Sequence, residues 1–298
     1  MAFTDIPRQG AVAGRFYPDD AKILRDQIQH FLSLKSRKQV NLEGKDVLAV
    51  MVPHAGYVFS GPIAGVTLGR ISLPDHVILL GPNHTGSGAP ISLWSGGPWK
   101  TPLGDMPVDK PLAQALADSG WFTPDTGAHM QEHSLEVLIP FLQVMNPKAR
   151  IVPVSVSAVP ALHLRTAGEA LAEAVLEVAA KKEKVLIVVS SDMSHYLPHD
   201  KAVAMDGMAL EALSSLDPEV YFETIRHNNI SMCGVFPMTL ALHALQTLGV
   251  DSARNIAYAT SGQTGKEFGA DMDKVVGYAG VLFTRKRPAP VTVTVRRG

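Results

Sequence analysis

The segment from Val47 to Gly61, VLAVMVPHAGYVFSG, constrains the fold more than any other stretch, because six consecutive apolar residues end in a Pro-His-Ala-Gly corner. An unbroken apolar run bounded by turn residues predicts a strand buried on both faces, and hence a largely parallel sheet covered by helices. Pro53 has no N–H to give a neighbouring strand, so it marks the carboxyl end of this one. The first side chain beyond it that can do chemistry is His54. Open α/β sheets place their ligands at that rim.

The same grammar recurs twice. Val77 to Leu80 runs into Gly-Pro-Asn-His, ending at His84, and Val185 to Val189 runs into Ser-Ser-Asp-Met-Ser-His, which holds Asp192 and His195. If the three strands are parallel and adjacent, their imidazoles meet in one crevice. The plainer alternative is that each His caps its own strand or satisfies a loop carbonyl.

A chain of 298 residues with 46% hydrophobic and 18% charged residues has the composition of a globular α/β protein with a large interior. The expected organisation is one domain over residues 1–287 and a tail over 288–298. The tail is basic and Val-Thr alternating; it reads as a solvated extension, or else as an edge strand for an oligomer partner. A net charge of -1 gives no general attraction to nucleic acid or to a membrane surface. Cys233 is the only cysteine, which excludes an intramolecular disulfide framework and suits a reducing compartment. With no basic-apolar leader and no apolar run of membrane-spanning length, the expected location is cytoplasmic.

Along the chain, Phe16 and Tyr17 read as a packing pair ahead of a helix over Ala21 to Leu34, and Pro62 to Arg70 as a short helix rich in small residues. The Pro-Gly-dense stretch Gly81 to Leu103, with Trp94 and Trp99, reads as a long excursion that lines or covers a site. Glu132 and His133 open a predicted helix over Leu135 to Met145. Another helix begins just after Cys233, and strands near residues 255–261 and 274–284 complete the sheet.

His54, His84 and Cys233 supply two imidazoles and a thiolate, a donor set that leaves coordination positions open, as catalytic metal sites require. Cys233 can equally be a small buried hydrophobe. A helix N-terminus beside it is expected to lower its thiol pKa. Asp192 and His195 suit a general base with an orienting carboxylate, the alternative being a turn-forming Asp. Asn83, Tyr57, Glu132 and His133 are the remaining pocket candidates.

Taken together and in order, AVAGRFYP, PHAGYVFSG, LLGPNH, EHSLEVLIPFLQ, SSDMSHY, MCG and GYAG resemble the Memo family, whose prokaryotic members include AmmeMemoRadiSam system protein B. The resemblance implies an α/β sandwich around a mainly parallel sheet, similar to the class III extradiol dioxygenases of the LigB-like group. It implies partnership with a radical SAM protein and an AMMECR1-type domain. It also implies His54, His84 and Cys233 as metal ligands, with Asp192 and His195 as further pocket residues and His195 where the dioxygenases carry a base. Cys233 departs from those dioxygenases, which use a carboxylate there. A thiolate widens the choice from Fe(II) to Zn(II) or copper. The expectation is a non-haem iron redox enzyme acting on a small anionic aromatic or enol substrate. The alternatives are a non-catalytic metal- or peptide-binding protein and a zinc hydrolase.

Overall fold

The computed structural model describes residues 3–36, 38 and 40–287, so the predicted tail lies outside the described residues. Helix α1 (Ala21–Ser33) precedes strand β1 (Lys45–Val52), α2 (Tyr57–Leu68) and β2 (His76–Pro82). Short strands follow: β3 (Ile91–Trp94), the hairpin β4 (Trp99–Thr101) and β5 (Gly104–Met106), then α3 (Lys110–Asp118) and β6 (Thr123–Asp125). Next come α4 (Ile139–Met145), β7 (Arg150–Val156), α5 (Ala161–Ala180), β8 (Val185–Ser190) and β9 (His195–Leu197). The chain closes with α6 (His199–Ser214), α7 (Pro218–His227), α8 (Val235–Thr247), β10 (Ser252–Thr260), α9 (Ser261–Thr264) and β11 (Val275–Lys286).

The main sheet runs β10-β11-β1-β8-β2-β7-β3-β6, with β9 paired to β11. Its centre, β1-β8-β2-β7, is parallel throughout, and antiparallel pairing enters beyond it at β1-β11, β10-β11 and β3-β7. The architecture is the expected α/β sandwich around a mainly parallel sheet. Side chains alternate across the sheet with period two. Ala49, Met51, Ile78, Leu80, Ile187 and Val189 face a core built with α3 and α5 to α8. Val50, Val52, Val77, Leu79, Leu186 and Val188 face one built with α1, α2 and α4. Burial on both faces is why the central strands are continuously apolar in sequence.

Three local expectations change. Helix α2 begins at Tyr57 rather than Pro62, because the Tyr57 N–H is held by the Phe16 carbonyl at 2.8 Å and its ring is buried. A Cβ at Gly61 or Gly65 would run into Phe31, so close packing on α1 is the reason for those two glycines. The Gly81–Leu103 stretch is mostly no cover for a site: β3 extends the sheet against β7, and Trp94 and Trp99 are fully buried beneath it. The helix expected from Leu135 opens as a 3-10 turn over Glu136–Leu138, and α4 follows with Pro140 in its first turn.

Candidate metal centre

Sheet register assembles the site. Val52 of β1 pairs with Ser190 of β8, so the residues two beyond each strand end, His54 and Asp192, arrive opposite one another. The His54 N–H donates to Asp192 Oδ1 at 2.8 Å, and the Ser191 N–H to the Val52 carbonyl at 2.9 Å. Strand β2 lies on the other side of β8 and delivers His84, whose ring centre is 5.3 Å from that of His54. Cys233 enters from the loop before α8, with Sγ 3.5 Å from His54 Nε2 and accepting the Asp192 N–H at 3.2 Å. A Cβ on Gly234 would collide with the Ser191 side chain, so glycine at that position lets the thiol approach β8. One ligand atom each from His54, His84 and Cys233 lies within 4.8 Å of the others.

Hydrogen bonds select the tautomers. The Ser190 hydroxyl donates to the Ser134 carbonyl at 2.6 Å, so its oxygen must accept from His54 Nδ1, 2.7 Å away. His54 therefore carries its proton on Nδ1 and turns a bare Nε2 toward the sulfur. His84 Nδ1 lies 2.9 Å from Glu132 Oε1, a carboxylate that only accepts, and the same reasoning leaves Nε2 bare whenever the His84 ring is neutral. Both are the second-sphere contacts that fix metal-binding imidazoles.

Glu132 is thus more than a helix-start residue. Its carboxylate, 1% exposed, accepts from the backbone N–H groups of His84, His133 and Ser134 as well as from the His84 ring. Burial alone would raise its pKa, but the His84 bond and charge and the backbone donors bring it down to about 2. Burial disfavours a charged His84, yet Glu132 pulls its pKa up overall. His54 is driven well below the usual histidine range by burial and by the His84 and His133 imidazoles. His133 stacks on His84 with ring centres 4.8 Å apart, and burial with the His84 charge lowers it too. His84, Glu132 and His133 also cluster as a second candidate group, but with four N–H donors on the carboxylate we read Glu132 as the support of His84 rather than as a ligand.

The expected lowering of Cys233 by a helix N-terminus does not occur. The Gly234 N–H goes to Ser191 Oγ and the Met238 N–H to the Gly234 carbonyl, and the sulfur has the Asp192 N–H at 3.2 Å and Ser191 Oγ at 4.0 Å. Burial and the Asp192 carboxyl push the thiol pKa far up. A thiolate here needs a cation beside it. The donor set fits one: two bare imidazole nitrogens and a thiol converge, and the 3.5 Å between His54 Nε2 and Sγ is close to the separation of about 3.6 Å expected for tetrahedral zinc ligands with ordinary bond lengths.

The other predicted residues divide. His195 reaches the crevice on β9, and its orienting partner is the Ser231 carbonyl at 2.8 Å from Nδ1 rather than Asp192. Its Nε2 is therefore the basic nitrogen. Asp192 is buried, holds the His54 backbone and is raised in pKa by that burial. Asn83 folds its own loop, accepting from Thr85 and Gly86 and donating to Ser87, and so supports His84 from behind. Tyr57 is a core residue, its hydroxyl on the Val137 carbonyl and its ring against Tyr17 and Phe141. Phe16, read as packing, lies edge-on to His133 at 4.9 Å and so borders the site.

Ser190, Ser134, Ser231 and Arg8 went unassigned in the sequence. Arg8 is wholly buried; it pairs with Glu136 at 2.6 Å, donates to the His129 and Glu132 carbonyls, and lies 4.1 Å from the Trp99 ring. It pins the loop that carries Glu132 and His133.

A family model described as Memo-like protein matches residues 8–282. A MEMO1 family protein of Methanopyrus kandleri is 38% identical, with 93% of this chain and 99% of that protein covered. One from Aquifex aeolicus is 37% identical over 93% and 98% of the two chains. Among solved structures, an uncharacterised Escherichia coli protein superposes with a TM-score of 0.51 at 15% identity, covering 79% of this chain and 99% of that one, a likeness of fold. The chain belongs to the Memo family.

Proposed function

We propose that His54, His84 and Cys233 hold one redox-active divalent metal, Fe(II) foremost, and that the protein oxidises a small phenol or enol. The observation that carries this reading is the convergence of two imidazoles with preset Nε2 lone pairs on one thiol, beside a separately oriented His195. When bound, such an ion supplies a binding point for substrate and dioxygen and charge to stabilise a thiolate. His195 Nε2 takes the substrate hydroxyl proton, and its Nδ1–H bond to Ser231 keeps the ring turned for that role. Buried Asp192 fixes the His54 backbone and the Cys233 sulfur in one frame. His133 and Phe16 form an aromatic wall on which a flat substrate can rest.

Glu132 alters the charge argument. A divalent ion and one thiolate alone leave +1, which favours an anionic substrate; ionised Glu132 one shell out cancels it. The site then suits a substrate that arrives as the neutral acid and gives its proton to His195. For ring or enol cleavage, both atoms of dioxygen enter the product and no external reductant is consumed.

Iron loaded without oxygen, followed by oxygen uptake with catechols, other hydroxylated aromatics and enols, tests the reading. Uptake in the wild type that His195→Ala abolishes while metal content is unchanged supports it. Absence of uptake in both, with metal retained, favours instead a non-catalytic metal- or peptide-binding role alongside radical SAM and AMMECR1-type partners.

A further inference from the structure

The rim opposite the metal centre, where the parallel strands begin, holds a cavity of about 570 Å³. Its lining carries six Lys or Arg side chains, Lys45, Arg70, Lys182, Lys184, Arg285 and Arg287, against two carboxylates, Asp46 and Glu183. Both carboxylates are engaged, Asp46 with Arg287 at 2.8 Å and Glu183 with His76 at 3.2 Å. Among the described residues, the other five cations have no carboxylate within ion-pair distance. Such a surplus is unexpected in a chain of net charge -1. Like charges gathered round one concavity repel unless an anion joins them, and a low-dielectric wall strengthens the attraction for that anion.

Arg285 gives the more specific sign. Its Nη1 donates to the Leu248 carbonyl at 3.0 Å, which fixes the guanidinium at the cavity wall. Apart from Ser72, the rest of the lining is apolar, including Leu48, Ile71, Val175, Leu176 and Leu186. The ligand therefore has an anionic head and an apolar or heteroaromatic body, and the volume is in the range of small-molecule sites.

We propose that this cavity binds a small organic phosphate of nucleotide size, its phosphates among Arg70, Lys184 and Arg285 and its body on the apolar wall. The site is separate from the metal centre, since it lies at the other end of the same strands.

Calorimetric titration of the full chain with ATP, AMP and inorganic triphosphate tests this. The expected result is ATP binding with Kd below about 1 mM at low salt, weakened about tenfold or more by 0.5 M salt, with triphosphate weaker than ATP because it lacks the body. Arg70→Glu/Lys184→Glu should lose that binding while circular dichroism and metal affinity stay at wild-type values; Arg285→Lys, which keeps the charge but loses the planar guanidinium fork, should weaken it about tenfold. No ATP binding at about 1 mM, or binding unchanged in Arg70→Glu/Lys184→Glu, overturns the proposal. Triphosphate binding as tightly as ATP would overturn the assignment of the apolar wall.

Discussion

Ser190 Oγ stands 2.7 Å from His54 Nδ1 and gives its one proton to the Ser134 carbonyl, so the serine accepts from the imidazole and sets which nitrogen faces the sulfur. A hydroxyl wholly inside the sheet thereby determines the donor set at its rim. Ser190→Ala should lower metal affinity about 10- to 100-fold while leaving the fold intact. Competition against a chelator of known affinity measures this, and equal affinity in the two proteins would mean that the tautomer is fixed by something else.

Glu132 links the same centre to acid stability. Its folded pKa of about 2 lies below the ordinary value of 4.5, so its ionised form stabilises the native state above about pH 4.5. That contribution is lost as pH falls toward 2. The difference amounts to about 3 kcal/mol for this buried group. Denaturant unfolding of metal-free wild type and Glu132→Gln should show curves that approach each other between about pH 4.5 and 2. Parallel curves across that range would remove the His84–Glu132 bond from the account.

Metal uptake should depend on pH with a defined slope. The thiol is raised by burial and must release a proton on binding, whereas His54 is lowered and releases none near neutrality. His84 is raised and releases one only below its own, elevated range. Affinity should thus climb about tenfold per pH unit near and above neutrality, and about a hundredfold per unit at lower pH where His84 is protonated. Cys233→Ala should flatten the upper limb. A flat upper limb in the wild type would show that no thiol proton leaves.

Arg8 holds the loop of Glu132 from 124 residues away in sequence. Removing its charge leaves Glu136 buried, with the Ala11 and Val12 N–H groups and the Tyr17 hydroxyl as its partners. Arg8→Met should destabilise by about 3–5 kcal/mol and lower metal affinity as the loop loosens. Adding Glu136→Gln should restore part of the stability. Unfolding in urea reads both, and an Arg8→Met protein as stable as wild type would mean the pair has no structural role.

The strand ends were legible because strands buried on both faces are continuously apolar and stop at turn residues, as at Val52 before Pro53. Their convergence needed sheet order, which put β8 between β1 and β2. Glu132 reads only as a pocket candidate, because an acidic residue ahead of an apolar helical pattern has a local explanation and its partner His84 lies 48 residues away. Tyr57 was misplaced for the converse reason: two residues of local sequence separate it from the site, but helix α2 turns it into the core. Trp94 and Trp99 resembled a cover because Pro and Gly interrupt the alternation of short edge strands. Arg8 carried no signal, since a lone Arg in an irregular segment is ordinarily solvated.

X-ray absorption at the metal edge, on protein purified and loaded with iron without oxygen, addresses the thiolate most directly. About one ion per chain is expected, with a sulfur neighbour and imidazole scattering, the sulfur shell vanishing and affinity falling sharply in Cys233→Ala. A shell made only of oxygen and nitrogen in the wild type, with affinity unchanged in Cys233→Ala, would contradict it.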